Sequence, residues 1–338
     1  LDGGIRQFTV VSASPPEYDS GVATILEPDN LRTLGEQLAA ANARRERIAS
    51  VNLKSLTRVL EHAPEDMTVT VEAGIPLATL QAHLAKSGQW LPLDPPHPER
   101  LTIGDLLATN AAGPLRCGFG TARDWLIGLR VALADGTIIK SGGKVVKNVA
   151  GYDLAKLFIG GGGSLGVIVE AGFKLRPLPE RTAFAQRPSA RIGEACGFVE
   201  AVAASRLDPV VFDLHNISGT DDGHFTTVLG FAGATEDVDA ALETASALGA
   251  VPVETPGYER FFWDHETAGP VQRLSFLPSR LEAALKPLGD APFVARAANG
   301  LVHWRGGPRP PEPEYPRHLC ERIKAAFDPN GVFPELLP

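Results

Sequence analysis

Cysteine is scarce. Cys117, Cys196 and Cys320 are the only three in 338 residues, far apart and odd in number. No C-x-x-C pair occurs, so iron–sulfur and structural zinc centres have no ligand set to read. Three scattered thiols also argue against a disulfide framework and fit a reducing cytoplasm. Apolar runs of about 18 residues, the length a spanning helix needs, are missing as well. The N-terminus lacks the charged-then-apolar pattern of a secretory leader. Because it opens on Leu1 rather than Met, it reads as trimmed or incomplete at that end. Blocks of like charge are absent: the net charge of −8 is spread along the chain, which argues against nucleic acid or an anionic membrane as a partner of the whole surface. What remains is a globular composition, 44% hydrophobic and 21% charged, enough for one large or two moderate cores.

The segment from Thr102 to Ile168 is the most informative. Glycine, Asn, Thr and small residues alternate there with short β-like runs. Such a surface lets a large anionic ligand lie against bare backbone, because glycine has no Cβ and tolerates positive φ. Gly161-Gly162-Gly163-Ser164-Leu165-Gly166 satisfies the dinucleotide pattern G-x-G-x-x-G. In a Rossmann unit those glycines open a helix that meets the pyrophosphate. Here they lead into Val167, Val169, Ala171, Phe173 and Leu175 at alternate positions, which predicts a strand, and no well-placed acidic residue follows. The motif is therefore not a Rossmann fingerprint.

Around this segment the chain alternates helices and strands. Asp29 or Asn30 caps a helix over 30–43 with Leu31, Leu34 and Leu38 at helical spacing. A strand over 68–74 precedes a helix started by Pro76 and ended by Gly88. Residues 90–97 form a proline-stiffened loop or edge, and 127–140 a hairpin turning at Asp135-Gly136. Lys147 to Asp153 reads as a polar loop, followed by a short helix over 154–158. From about 181 the order is strand, helix, strand, strand, helix, strand, which suggests an antiparallel sheet covered on one face. Residues 306–316 are a linker by composition, and a last helix spans about 317–327.

Several motifs together resemble one family. They are W-L-P-L-D-P-P-H (90–97), T-I-G-x-x-x-A-T-N-A-x-G-P (102–114), G-T-A-R-D (120–124), A-D-G-T (134–137), G-G-K-V-V-K-N-V-A-G-Y-D-L (142–154) and S-L-G-V-I (164–168). The chain resembles the FAD-binding E subunits of bacterial glycolate oxidases, within the vanillyl-alcohol oxidase/para-cresol methylhydroxylase (PCMH) flavoprotein superfamily. The resemblance implies an α+β fold: a two-subdomain PCMH-type FAD-binding domain over 1–179, an α+β cap domain over 180–305, and a linker with a C-terminal return helix over 306–338. It implies non-covalent FAD, with Thr102, Ile103, Gly104, Thr109, Asn110, Ala111 and Gly113 along the pyrophosphate and ribityl chain. Gly120 belongs to the same set, and Gly163, Gly166, Val167 and Ile168 pass the flavin or adenine edge. It also implies oxidation of a small 2-hydroxy acid within a complex. The partners are a second flavoprotein subunit and an iron–sulfur subunit, and the complex is cytoplasmic or peripheral at the inner membrane.

The chain departs from that family in three places. Family members carry a glycine-rich loop between the first strands, yet no glycine occurs between Gly35 and Gly74. Either the protein lacks this loop or residues are missing between Ala43 and Leu53. Asp105 stands where a second glycine is usual, and a carboxylate there repels a pyrophosphate by about 1 kcal/mol at ~4 Å in water. Phe333-Pro334-Glu335 stands where Asn-Pro-Gly is common, so an amide that could reach the flavin is gone. Two further readings stay open: a flavin-free structural subunit that kept the fold, and a stand-alone FAD-linked dehydrogenase.

Oxidising a 2-hydroxy acid needs a base for the hydroxyl proton and a cation for the carboxylate. His97 and His303 are the histidines in suitable segments, with a structural role equally open to each. Arg116, Arg123, Lys144 and Lys147 are the cations that could pair with a phosphate or carboxylate, or remain solvated. No metal-ligand spacing is present, and no full catalytic set is assigned.

Overall fold

The computed structural model describes residues 24–143, 154–217, 225–264, 269–306 and 316–336. The polar loop at Lys147–Asp153, with Lys144 before it, and nearly all of the 306–316 linker lie outside these residues. The described residues form two compact units: one holds 24–112, 121–178 and 316–336, the other 113–120 and 179–306.

The first unit opens with a parallel pair, β1 (Thr24–Leu26) and β2 (Ile48–Val51), joined by helix α1 (Leu31–Arg44). Asn30 starts the helix as expected: its side chain accepts from the Thr33 N–H at 3.0 Å, filling one of the donors a helix start leaves open. Leu34, Leu38 and Ala41 are buried on one face and pack with Ile48, Val169 and Val332. Residues 52–58 then lead into a five-stranded antiparallel sheet ordered β3-β4-β8-β6-β7. Its strands are β3 (Val59–Ala63), β4 (Thr68–Glu72), β6 (Leu126–Ala132), β7 (Ile138–Gly142) and β8 (Val167–Lys174). The β6–β7 hairpin turns at Asp135-Gly136 as expected, with Gly136 at φ +84°. Helix α2 (Leu77–Ala85) follows Pro76 and buries Leu77, Leu80 and Leu84. The proline-rich stretch holds only a two-residue edge, β5 (Gln89–Trp90), paired with β9 (Arg176–Pro177).

The β-like runs of the 102–168 segment are the strands β6, β7 and β8, and the stretch from Thr102 to Trp125 is helical instead. Three short helices occupy this stretch: α3 (Ile103–Thr109), α4 (Arg116–Phe119) and α5 (Ala122–Trp125). The cause is capping plus burial. Asp105 donates its N–H to Thr102 Oγ1 at 3.1 Å, and Thr121 donates its N–H to Asp124 Oδ2 at 2.7 Å. Ile103, Leu106 and Leu107 lie at helical spacing and are buried. Helix α6 (Ala155–Phe158) precedes the glycine turn, and the strand after that turn is β8, which removes the Rossmann reading.

The second unit is a seven-stranded antiparallel sheet ordered β13-β10-β12-β11-β15-β16-β14. The strands are β10 (Arg181–Ser189), β11 (Val211–His215), β12 (Phe225–Gly233), β13 (Val251–Val253), β14 (Val271–Ser275), β15 (Phe293–Arg296) and β16 (Leu301–Arg305). Helices α7 (Ile192–Ala203), α8 (Thr235–Ala247) and α10 (Leu281–Leu285) supply residues to the core on one face. Phe198, Phe212, Leu214, Phe231 and Trp304 pack there. Strand alternation sends Asp213, His215, His303 and Arg305 to the other face, beside α9 (Tyr258–Asp264). The last helix, α11 (Arg317–Phe327), belongs to the first unit and has the bounds the sequence suggests.

Candidate functional site

In the first unit the candidate residues gather at the two ends of α3. At its start every first-turn N–H is spent inside the protein. Ile103 donates to the Ile75 carbonyl at 2.9 Å, Gly104 to the Ala73 carbonyl at 2.7 Å, and Asp105 to Thr102 Oγ1. The Thr102 hydroxyl donates back to Asp105 Oδ2 at 2.7 Å. Asp105 is thus half of a capping pair, and the carboxylate read from the sequence as a misplaced charge is a helix start signal. Ile103 and Gly104 offer a ligand no free N–H in this turn, and the Thr102 hydroxyl is taken by Asp105. Thr109 is also engaged, its hydroxyl donating to the Asp105 carbonyl at 2.7 Å.

The other end of α3 is different. Asn110 sits at φ +49° and donates its N–H to the Leu107 carbonyl at 3.3 Å. Its Oδ1 is buried and has no hydrogen-bond partner among the described residues. Ala111 donates its N–H to the Leu106 carbonyl at 3.3 Å. The glycine turn is stitched to this end. Gly160 donates to the Leu107 carbonyl and Gly162 to the Ala108 carbonyl, each at 2.9 Å, filling acceptors that a helix end leaves open. Gly162 and Gly163 stand at φ +60° and +76°, and a Cβ on either would meet nothing within 4 Å among the described residues. Bare, left-handed backbone there is uncovered by the described residues, beside an orphaned amide oxygen. Gly166 serves packing instead: a Cβ there would lie 2.6 Å from Val131 Cγ1 and 2.9 Å from the Ala132 carbonyl oxygen. Val167 and Ile168 pair in β8 with Ala132 and Val131. Gly113 and Gly120 fall in the second unit, Gly120 closing α4 at φ +78°.

The C-terminal segment braces this turn. Lys324 Nζ donates to the Ser164 carbonyl at 2.8 Å, to those of Phe333 and Pro334 at 3.1 and 2.8 Å, and pairs with the buried Asp328 at 2.6 Å. Phe333 is a buried core side chain, and Glu335 lies 3.7 Å from Arg47 on the surface. Phe333-Pro334-Glu335 thus works as a structural plug. At the other departure from the family, Asn52 donates its N–H to the Leu26 carbonyl, and Leu56 its own to that of Leu53, both at 2.8 Å. A Cβ on Gly74 would sit 2.7 Å from the Leu56 carbonyl oxygen, so the connection lies tight against the sheet. A cleft of about 470 Å³ beside it is lined by both signs of charge, including Arg32, Arg58, Asp29 and Glu72. Arg58 is tied to the buried Glu72 at 2.8 Å. No glycine-rich loop is present here to receive a pyrophosphate. A flavin nucleotide fits the residues at Asn110 and Gly162–Gly163, and does not fit the start of α3 or the 52–58 connection as an anion cradle.

The second unit carries the densest group of titratable side chains. Register lines up Arg273, His303, Val294, His215 and Thr226 across five strands, and Ser275, Leu301, Arg296, Asp213 and Val228 in the next row. Arg296 is fully buried and binds Asp213 together with both oxygens of Glu259, at 2.7 and 2.9 Å. Tyr258 donates its hydroxyl to Asp213 and stacks on His215 with ring centroids 4.5 Å apart. Burial pushes the Asp213 carboxyl up to about 6 against the opposing pull of Arg296. It pushes His215 down to about 3. Burial also raises the Cys117 thiol to about 12, helped by Asp213, so this cysteine is not a nucleophile. His303 is held well below the usual imidazole range by burial and then by Arg296, Arg273 and Arg116.

Of the other candidates, His97 is a turn residue at φ +53° whose carbonyl accepts from Arg100 and Leu101, and Arg123 is exposed. Arg273, Arg296, Asp213 and Tyr258 were not legible as site residues. Strand alternation in L-V-H-W-R and V-Q-R-L-S was the available signal, and it needs the strand pairing to become meaningful. Among the described residues, no group of three His, Cys, Asp or Glu could hold a metal ion.

Residues 30–142 match a family described as an FAD binding domain. The chain belongs to this class of FAD-binding flavoproteins. Within it, the chain belongs to the glycolate oxidase subunit family. It is 33% identical over 254 residues to glycolate oxidase subunit GlcE of Escherichia coli, covering 74% of this chain and 67% of that one. Glycolate oxidase subunit GlcD of Bacillus subtilis is 36% identical over 160 residues, covering 47% of this chain and 34% of that one. D-lactate dehydrogenase of Archaeoglobus fulgidus is 29% identical over 267 residues, covering 73% and 59%. The solved structure of an alkyldihydroxyacetonephosphate synthase superposes with a TM-score of 0.71 at 16% identity, over 91% of this chain and 75% of that one, a likeness of fold alone.

Proposed function

We propose that this chain is the FAD-binding subunit of a glycolate oxidase-like complex that oxidises a small 2-hydroxy acid. The observation that carries the reading is the orphaned Asn110 oxygen beside the uncovered Gly162–Gly163 backbone, in a chain of the FAD-binding family. Bound FAD would supply the hydride acceptor. Asn110, Ala111 and Gly163 would lie against it, on a frame made by Thr102, Ile103, Gly104 and Thr109 on one side and Gly166, Val167 and Ile168 on the other. Gly113 and Gly120 complete the proposed set. Lys324 would keep the turn in place through the Ser164 carbonyl. The domain division proposed is 1–179 for FAD, 180–305 for the cap and 306–338 for the return. The partners proposed are a second flavoprotein subunit and an iron–sulfur subunit. The complex would be cytoplasmic or peripheral at the inner membrane, and among the described residues no helix is long and apolar enough to cross one.

A second reading, a flavin-free structural subunit, draws on the glycine-free 52–58 connection and the committed N–H groups of α3. Co-expression with the two partner subunits separates the readings. The expected result is glycolate- or D-lactate-dependent reduction of an artificial acceptor by the complex, lost when Gly163 is changed. Full turnover by this chain alone would make it a stand-alone dehydrogenase. Full activity of a complex whose E-type chain holds no flavin would make it structural.

A further inference from the structure

On the face of the second unit's sheet that carries α9, Arg273 in β14 stands directly across from His303 in β16. Side chains so paired share a face, with Cβ atoms about 4.5–5.5 Å apart. The nearby carboxylates are already taken: Asp213 of the neighbouring row and Glu259 of α9 both bind Arg296. Arg273 Nε is buried and has no hydrogen-bond partner among the described residues, and Arg273 pairs with no carboxylate among them. Burial lowers this guanidinium to about 10, with the charge of Arg116 adding to the effect. An Arg that close to a second cation, with its Nε dehydrated, calls for an anion. His303 meets Trp263 edge-on at 5.3 Å between centroids and makes no side-chain hydrogen bond among the described residues. Surrounded by burial and three guanidinium groups, its ring is neutral at neutral pH, so one ring nitrogen is an acceptor.

A guanidinium fork beside a neutral imidazole fits a ligand with a carboxylate next to a hydroxyl. A fully ionised inorganic anion such as sulfate would satisfy the arginine and leave the imidazole without a donor. We infer that Arg273 and His303 form a binding site for a small 2-hydroxycarboxylate, the guanidinium taking the carboxylate and the imidazole accepting the hydroxyl hydrogen bond. The choice of ligand class rests on the function proposed above, while the site lies wholly within one unit and needs no flavin.

The test is calorimetric titration of the full chain with glycolate and with acetate, which keeps the carboxylate and lacks the hydroxyl. Glycolate is expected to bind more tightly than acetate. Arg273→Met should weaken both by about ten-fold or more, the effect of losing a charge-assisted pair. Arg273→Lys should keep part of the affinity. His303→Phe should abolish the preference for glycolate and His303→Gln should retain some of it, a pattern that a merely structural histidine would not give. Equal binding of glycolate and acetate by the wild type, no binding of either, or unchanged binding by Arg273→Met or Arg273→Lys would overturn the inference. Flavin content measured on the same samples keeps the two claims apart. A chain that holds FAD and ignores glycolate loses this site alone. One that discriminates glycolate from acetate without FAD loses the flavin assignment alone.

Discussion

Replacing Gly163 by alanine separates backbone strain from ligand contact. Gly163 stands at φ +76°, and an added Cβ would meet nothing within 4 Å among the described residues. The cost to the protein is therefore conformational, about 1–2 kcal/mol for a non-glycine residue in the left-handed region. For a unit of this size that is a fall in Tm of about 2–8 °C, at 2–4 °C per kcal/mol. Gly88, at φ +66° in the turn after α2 with nothing within 4 Å of an added Cβ among the described residues, carries the same strain outside the proposed site and serves as the control. If FAD lies against Gly163, the methyl group of the variant occupies cofactor space. Gly163→Ala should then lose at least about ten-fold in FAD affinity, or ~1.4 kcal/mol, beyond the loss in Gly88→Ala. The assay is quenching of flavin fluorescence on titration into apoprotein, with thermal unfolding recorded alongside. A Gly163→Ala protein that melts lower as expected yet binds FAD as tightly as the wild type would refute the placement.

Two other perturbations probe the second unit. Arg296→Met strands the buried Asp213 carboxylate and should destabilise by about 3–5 kcal/mol in denaturant unfolding, with part recovered by adding Asp213→Asn; a loss under about 1 kcal/mol would show that the network is not structural. The pH profile carries two opposed contributions. His215 is depressed from 6.5 to about 3, so its contribution to stability is present above pH 6.5 and lost on acidification towards 3, at about 1.4 kcal/mol per pH unit. Asp213 is raised from 3.8 to about 6, so its contribution is present below 3.8 and lost as pH rises through 6, with the same slope. The two nearly cancel between pH 4 and 6, and His215→Phe should become more stable on acidification across that window; a profile unchanged from the wild type would contradict the assignment.

Much of this fold can be read from local chemistry. Asn30 caps α1, Asp135-Gly136 turns the hairpin, and the apolar alternation after the glycine turn gives β8. Each depends on residues close in sequence. The start of α3 is also local, but it competes with a glycine-rich appearance that hides the Thr102–Asp105 cap. Long-range pairing is what sequence leaves out. That Gly166 packs on Val131, that Lys324 reaches back to Ser164, and that Arg273 faces His303 all depend on strand register or chain return. The glycines 160–166 look alike in sequence, yet Gly163 is uncovered among the described residues, Gly166 packs on β6, and Gly160 and Gly162 donate their N–H groups to the end of α3. Only the three-dimensional neighbours distinguish these roles.

The central claim is that this chain holds FAD at the Asn110 end of α3. Its most direct test is the flavin content of the purified full chain, read from its visible absorption and from titration of the apoprotein with FAD. The account predicts a yellow protein carrying one non-covalent FAD per chain, released on denaturation. A colourless chain that leaves the fluorescence of added FAD unchanged would contradict it.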